Sequence, residues 1–105
     1  MLTRERADSF LACLNEARYY DAHEVLEAVW FPRRLEKTPE VLLLKGLINA
    51  SVSFELHKKG RLHKVAGPWK VFLKYRDHLQ QVGRHNPLYL ELDEAVHAAQ
   101  RSLNV

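Results

Sequence analysis

The chain is 105 residues long, which suits one hydrophobic core and excludes two. With 47% hydrophobic and 28% charged residues it has the composition of a folded globular domain and not of a disordered chain. The net charge of +3 is local in origin: residues 57–84 hold eight Lys and Arg against Asp77 alone, so any contact with an anionic partner belongs to that stretch.

In chain order, Thr3 is placed to cap a first helix, with Glu5 and Asp8 in its early turns. Ala7, Phe10, Leu14 and Ala17 recur at three- and four-residue spacing and make one helical face. Cys13 lies in the same pattern and reads as a buried, inert thiol; as a lone cysteine it excludes an internal disulfide and a multi-cysteine metal site. Residues 15–18 form a turn, and a second helix spans Tyr19 to Trp30. Phe31-Pro32 stops it, because the residue before proline is pushed out of the helical region. A charged loop follows to Lys37.

Thr38-Pro39-Glu40 combines a capping hydroxyl, a proline at the first helical position and an acid, a strong helix start. The third helix runs from there to about Lys59, with Gly60 as its stop. A fourth helical pattern runs from Arg61 to Gln81, with a kink or restart expected at Gly67-Pro68. Residues 83–87 read as a loop. A last helix, about Glu91 to Leu103, carries Leu92, Val96, Ala99 and Leu103 on one stripe. No segment alternates with period two. The expected fold is all-α, a single domain over residues 1–105 built as a compact antiparallel bundle of about five helices.

The third helix lacks a polar face. Leu43, Leu47, Ala50 and Phe54 form one arc, and Leu42, Val52 and Leu56 sit nearly opposite, interrupted only by Lys45 and Asn49. Such a helix is either the centre of the bundle or a dimer surface. A homodimer is expected, held through that second arc or the face bearing Trp69.

On the second helix, Tyr19, Ala22, Leu26, Val29 and Trp30 define the buried face, and His23 falls inside that arc between Tyr19 and Trp30. Glu27, one turn later, is its neighbour, while Asp21 and Glu24 point toward solvent. A histidine and a carboxylate on the flank of an apolar stripe need partners, either each other or a ligand.

The run YYDAHEVLEAVW over residues 19–30, then Leu44-Lys45-Gly46-Leu47-Ile48, then Leu56-His57-Lys58-Lys59-Gly60, resembles domain-of-unknown-function family 309. Members show a Tyr-x-x-Ala-His-Glu-x-Leu-Glu-x-x-Trp stretch, a Leu-x-Gly-Leu-Ile helix, a later histidine and a glycine stop. The resemblance spans roughly residues 10–75 and departs at Asn49-Ala50-Ser51, where a Gln-containing apolar stretch is expected. It implies a compact helical bundle and no particular activity.

The candidate polar site lies where the second, third and fourth helices meet: Tyr19, His23, Glu27, Trp30, His57 and Arg76. In the plainest reading His23 and Glu27 pair to lock helix packing. In a sharper one, His23, Glu27 and His57 ligate a divalent metal for a metal-assisted hydrolase, although His-Glu-x-x-Glu lacks the second histidine of the zincin motif. Arg76 falls on the apolar stripe of the fourth helix with Val65, Trp69, Phe72 and Leu79. It either snorkels or reaches a carboxylate such as Glu27. A third reading makes residues 57–84 a basic module for nucleic acid or protein. There the aromatics follow the buried stripe and no DNA-reading motif is visible, so a solvated basic face is the simpler account. These residues fix no reaction. The charged N-terminus MLTRERADSF has no signal-peptide core, and the apolar run Val41–Leu44 is far short of the ~20 residues that span a bilayer, so a cytoplasmic protein is expected.

Overall fold

The helix starts expected at the two threonines form by side-chain capping. Thr3 Oγ1 accepts from the Arg6 N–H at 3.2 Å and Thr38 Oγ1 from the Val41 N–H at 3.3 Å. The computed structural model describes residues 1–103 and is helical nearly throughout: α1 (Arg4–Asn15), α2 (Tyr19–Trp30), α3 (Pro39–Lys58), α4 (Ala66–Tyr75), α5 (Leu79–His85) and α6 (Leu88–Leu103). Single 3-10 turns lie at Phe31–Arg33, Leu62–Lys64 and Arg76–His78, and no strand occurs among the described residues. The fold is the expected all-α bundle.

Two helices end in the same backbone device. After α3, Gly60 takes φ of 76° and the Arg61 N–H donates to the Leu56 carbonyl at 2.9 Å. After α1, Ala17 takes φ of 57° and the Arg18 N–H donates to the Cys13 carbonyl at 2.8 Å. Both are Schellman ends, but the first uses the residue suited to left-handed backbone and the second does not. The Lys58 ammonium donates to the Ala17 carbonyl at 2.8 Å and so ties this strained turn to the end of α3.

The second half keeps the restart expected at Gly67-Pro68 and departs from expectation at two later points. The break near Gly67-Pro68 is a helix start: α4 begins at Ala66, and Pro68 sits in its first turn, where a missing N–H leaves no bond unmade. A second interruption comes later, in the 3-10 turn Arg76–His78 that separates α4 from α5. Residues 83–85 are helical, not loop, and α6 opens at Leu88, three residues before the expected start. The signal for that earlier start is Asn86-Pro87: Asn86 Oδ1 accepts from the Leu88 N–H at 3.2 Å and its carbonyl from the Tyr89 N–H.

α3 is the central element, packed against α2, α4, α5 and α6. Leu43, Leu44 and Ala50 are fully buried and Leu47 nearly so. Its second arc is not covered to the same degree. Leu42, Asn49, Val52 and Leu56 are half-buried and Lys45 is exposed, leaving one open stripe along the helix. Gly46 lets α4 approach: a Cβ there would stand 3.1 Å from Tyr75 Cβ and 3.5 Å from the Phe72 backbone. Ser53 Oγ donates to the Val65 carbonyl at 2.8 Å and fixes the entry to α4.

Leu47→Ala should cost about 2–5 kcal/mol, because the helices packed around α3 cannot collapse onto the cavity it leaves. Ala17→Gly should raise stability by about 0.5–1 kcal/mol through relief of the left-handed alanine. Urea unfolding followed by far-ultraviolet circular dichroism measures both. An unchanged midpoint for Leu47→Ala would contradict the central position of α3.

Candidate functional site

α2 and α3 run antiparallel, with the start of α2 beside the end of α3; the Tyr19 and Phe54 rings lie 5.5 Å apart. Between the two helices the open stripe of α3 forms one wall of a groove of about 240 Å³. Tyr19, Tyr20 and His23 come from α2; Val52, Glu55 and Leu56 from α3; Arg61 stands at one end, with Ser51 and Lys59 completing the lining.

His23 is held from both sides. Its Nε2 lies 2.8 Å from Glu27 Oε2 and its Nδ1 3.5 Å from Glu24 Oε1, and the ring is tilted against Tyr20 at 5.8 Å between centroids. The imidazole side chain is 21% exposed, against 41% for Glu27, so the pair stands on the rim of the groove and not in the core. The charge of Glu24, with a hydrogen bond between the two side chains, raises the Tyr20 phenol above its usual range. Burial, and then the charge of Glu55, does the same for Tyr19. The Glu55 carboxylate is 3.5 Å from the Lys59 ammonium. Arg61 makes no ion pair among the described residues, which leaves one unmatched guanidinium on the groove.

The structure brings together only part of the expected site. Tyr19 and His23 line the groove, Glu27 pairs with His23, and Trp30 packs at the far end of α2, edge-on to Phe31 with centroids 6.5 Å apart. His57 lies two residues from both Glu55 and Lys59, roughly 160° round α3 from either at 100° per residue. It does not face the groove. Among the described residues no three His, Cys, Asp or Glu side chains are grouped so as to hold a metal.

Arg76 does not reach Glu27. It forms a two-pronged pair with Asp93 on α6, Nε to Oδ1 at 2.8 Å and Nη2 to Oδ2 at 3.1 Å. Asp93 is buried, and this bond holds its guanidinium partner above the ordinary arginine range. His97 joins this second cluster: its Nδ1 is 2.9 Å from the Asp93 carbonyl, and its ring packs on Trp69 and Phe72. Trp69 and Phe72 of the basic segment are therefore committed inward, with Trp69 also 5.9 Å from Phe54, while Tyr75 is half-buried beside Lys45 and Lys74.

A second polar contact is hidden from the sequence pattern when α6 is started at Glu91. Tyr89 is fully buried, and its hydroxyl donates to Glu40 Oε2 at 2.6 Å. The contact joins the first turns of α3 and α6.

Helical bundle, buried central helix and an apolar groove rimmed by charged side chains define a small all-α protein. The chain belongs to the family described as Domain of unknown function (DUF309), whose model matches residues 7–67. That span contains most of α1, all of α2 and α3, and every residue of the groove, whereas Arg76, Tyr89 and Asp93 lie outside it. No curated protein and no solved structure matches the chain.

The buried tyrosine gives a pH outcome with a definite sign. Burial first, then the bond to Glu40, raises the Tyr89 phenol far above its ordinary value near 10. Above pH 10 the unfolded chain releases this proton while the folded chain keeps it. Tyr89 thus stabilises the fold fully below pH 10, and the contribution falls by up to ~1.4 kcal/mol per pH unit above it. Urea midpoints between pH 8 and 11 should decline less steeply for Tyr89→Phe than for the parent chain. Equal slopes would show that the phenol is not sequestered.

Proposed function

We propose that the protein is a small interaction module whose binding surface is the α2–α3 face. The observation that carries this reading is the uncovered stripe of α3, where Val52 and Leu56 lie in a groove beside Tyr20 and His23, the latter paired with Glu27. Half-exposed apolar side chains framed by charged ones are the usual make-up of a protein-binding surface. At about 240 Å³ the groove falls below the ~300–1,000 Å³ of most small-molecule sites and suits one or two inserted side chains. Tyr20, 58% exposed, supplies the kind of rigid aromatic anchor that dominates such contacts.

The other readings have less support. A metal-assisted hydrolase needs a third donor beside His23 and Glu27, and His57 is turned away from them. A nucleic-acid module through residues 57–84 has its cations but only the half-buried Tyr75 as a stacking ring, since Phe72 is buried and Trp69 packs on Phe54 and Phe72.

Photo-crosslinking tests the reading even while the partner is unidentified. A benzoylphenylalanine placed at Val52 should give discrete protein adducts in living cells, and the same probe at exposed Leu73 on α4 should not. Adducts of equal intensity at both positions, or none at Val52, would reject the α2–α3 face as the binding surface.

A further inference from the structure

On the α2–α3 face Glu55 and Lys59 cancel as a pair within the chain and Lys45 reaches toward the Tyr75 ring of α4, so the remaining charge is divided between the two ends. Glu24 and Glu27 lie toward the C-terminal half of α2, and Glu27 stands about 10 Å along the helix from Tyr20, seven residues at ~1.5 Å each. Arg61 lies at the Tyr20 end, placed there by the Schellman turn after α3. Between the two ends run the half-buried Val52 and Leu56. Each end also shows an exposed apolar side chain: Phe31, 52% exposed, one turn beyond Glu27, and Leu62, 62% exposed, next to Arg61.

A surface that is acidic at one end, basic at the other and apolar between is complementary to itself. A twofold axis lying in the plane of the face, perpendicular to the line from Glu27 to Arg61 and through its midpoint, exchanges the two charges and lays one apolar stripe on the other. We infer that the partner of this face is a second copy of the chain, bound in a symmetric dimer in which Arg61 of each copy pairs with Glu27 of the other. The inference rests on the interaction reading above and names its occupant. It also completes the polar site. His23 holds one oxygen of Glu27 and leaves the other free, and Arg61 is the guanidinium on this face without a carboxylate among the described residues. The His–Glu–Arg network that Arg76 does not form within one chain is thus assembled between two.

Like charges brought together at such an interface weaken association by on the order of 100-fold, which makes exchange of the two charges decisive. Light scattering on the eluting wild-type peak should give twice the 12.3 kDa chain mass. Glu27→Arg and Arg61→Glu should each elute as monomers, with helical content by circular dichroism showing that both remain folded. Mixed in equal amounts they should return to the dimer mass, since the mixed pair restores an opposite-charge contact at both ends. A wild-type monomer at high micromolar concentration overturns the inference. So does a pair of variants that remain dimeric alone, or a mixture that stays monomeric. If Glu27→Arg fails to fold, Arg61→Glu paired with Glu27→Lys serves the same exchange. Val52 adducts to another protein alongside a monomeric wild type would retain the interaction reading and remove the second copy. Absence of any Val52 adduct would remove both.

Discussion

A twenty-residue helix that is apolar on every side must be surrounded, and the bundle is arranged around meeting that demand for α3. α2 and α4 flank it, and α5 and α6 cover more of it, leaving one stripe open. The approach of α4 depends on Gly46, where the α4 backbone passes over a residue without a side chain. A methyl group there would have to displace Tyr75 or the chain beneath it by a few tenths of an ångström. Such a shift would propagate along α4 to the pair between Arg76 and Asp93. The position of the last helix is therefore coupled to a glycine in the third.

The first half of the fold is legible in the sequence because its signals are local. Thr3, Thr38-Pro39 and Gly60 each announce a helix end through their own hydrogen bonds or backbone freedom, and each does what its chemistry dictates. The second half is less legible, because there the decisive partner is distant in sequence. Arg76 on an apolar stripe requires a carboxylate, but nothing local distinguishes Glu27 from Asp93. The usable signal is on α6, where Asp93 falls within the buried arc of Tyr89, Leu92 and Val96 and needs a cation as much as Arg76 needs an anion. A helix start at Glu91 cuts Tyr89 from the arc and hides the pattern. Pro68 marks the start of α4 to within two residues, while the 3-10 turn at Arg76–His78 has no proline or glycine to mark it.

Within the candidate site, the same distinction separates what the sequence shows from what it conceals. His23 and Glu27 are four residues apart on one helix, so their contact follows from helical spacing alone. Joining His57 and Arg76 to them requires that antiparallel helices bring chemically suited residues together. Antiparallel packing fixes which helices are neighbours but not the rotation of each about its own axis. A rotation of roughly 160° is enough to turn His57 from the groove toward the arc of Ser53 and Phe54. Tyr20, Glu55 and Arg61, which do line the groove, carry no motif and look like ordinary surface residues in the sequence.

The interior leaves no polar group stranded: among the described residues, every buried side-chain nitrogen or oxygen has a hydrogen-bond partner. Asp93 has Arg76, the Tyr89 hydroxyl has Glu40, and the Ser53 hydroxyl has the Val65 carbonyl. The core therefore asks nothing of His23, Glu27 or Arg61, and their placement is not a by-product of satisfying buried atoms. The hydrophobic demand of α3 is met less completely. Four helices cover it on all sides but one, and Val52 and Leu56 remain half-exposed along the edge where these charged groups stand. An unfinished apolar stripe weakens a monomer slightly, since each half-exposed side chain forgoes part of the roughly 25 cal/mol per Å² that burial supplies. A partner laid on that edge recovers this loss, and the charges at its two ends set the direction in which the partner must lie.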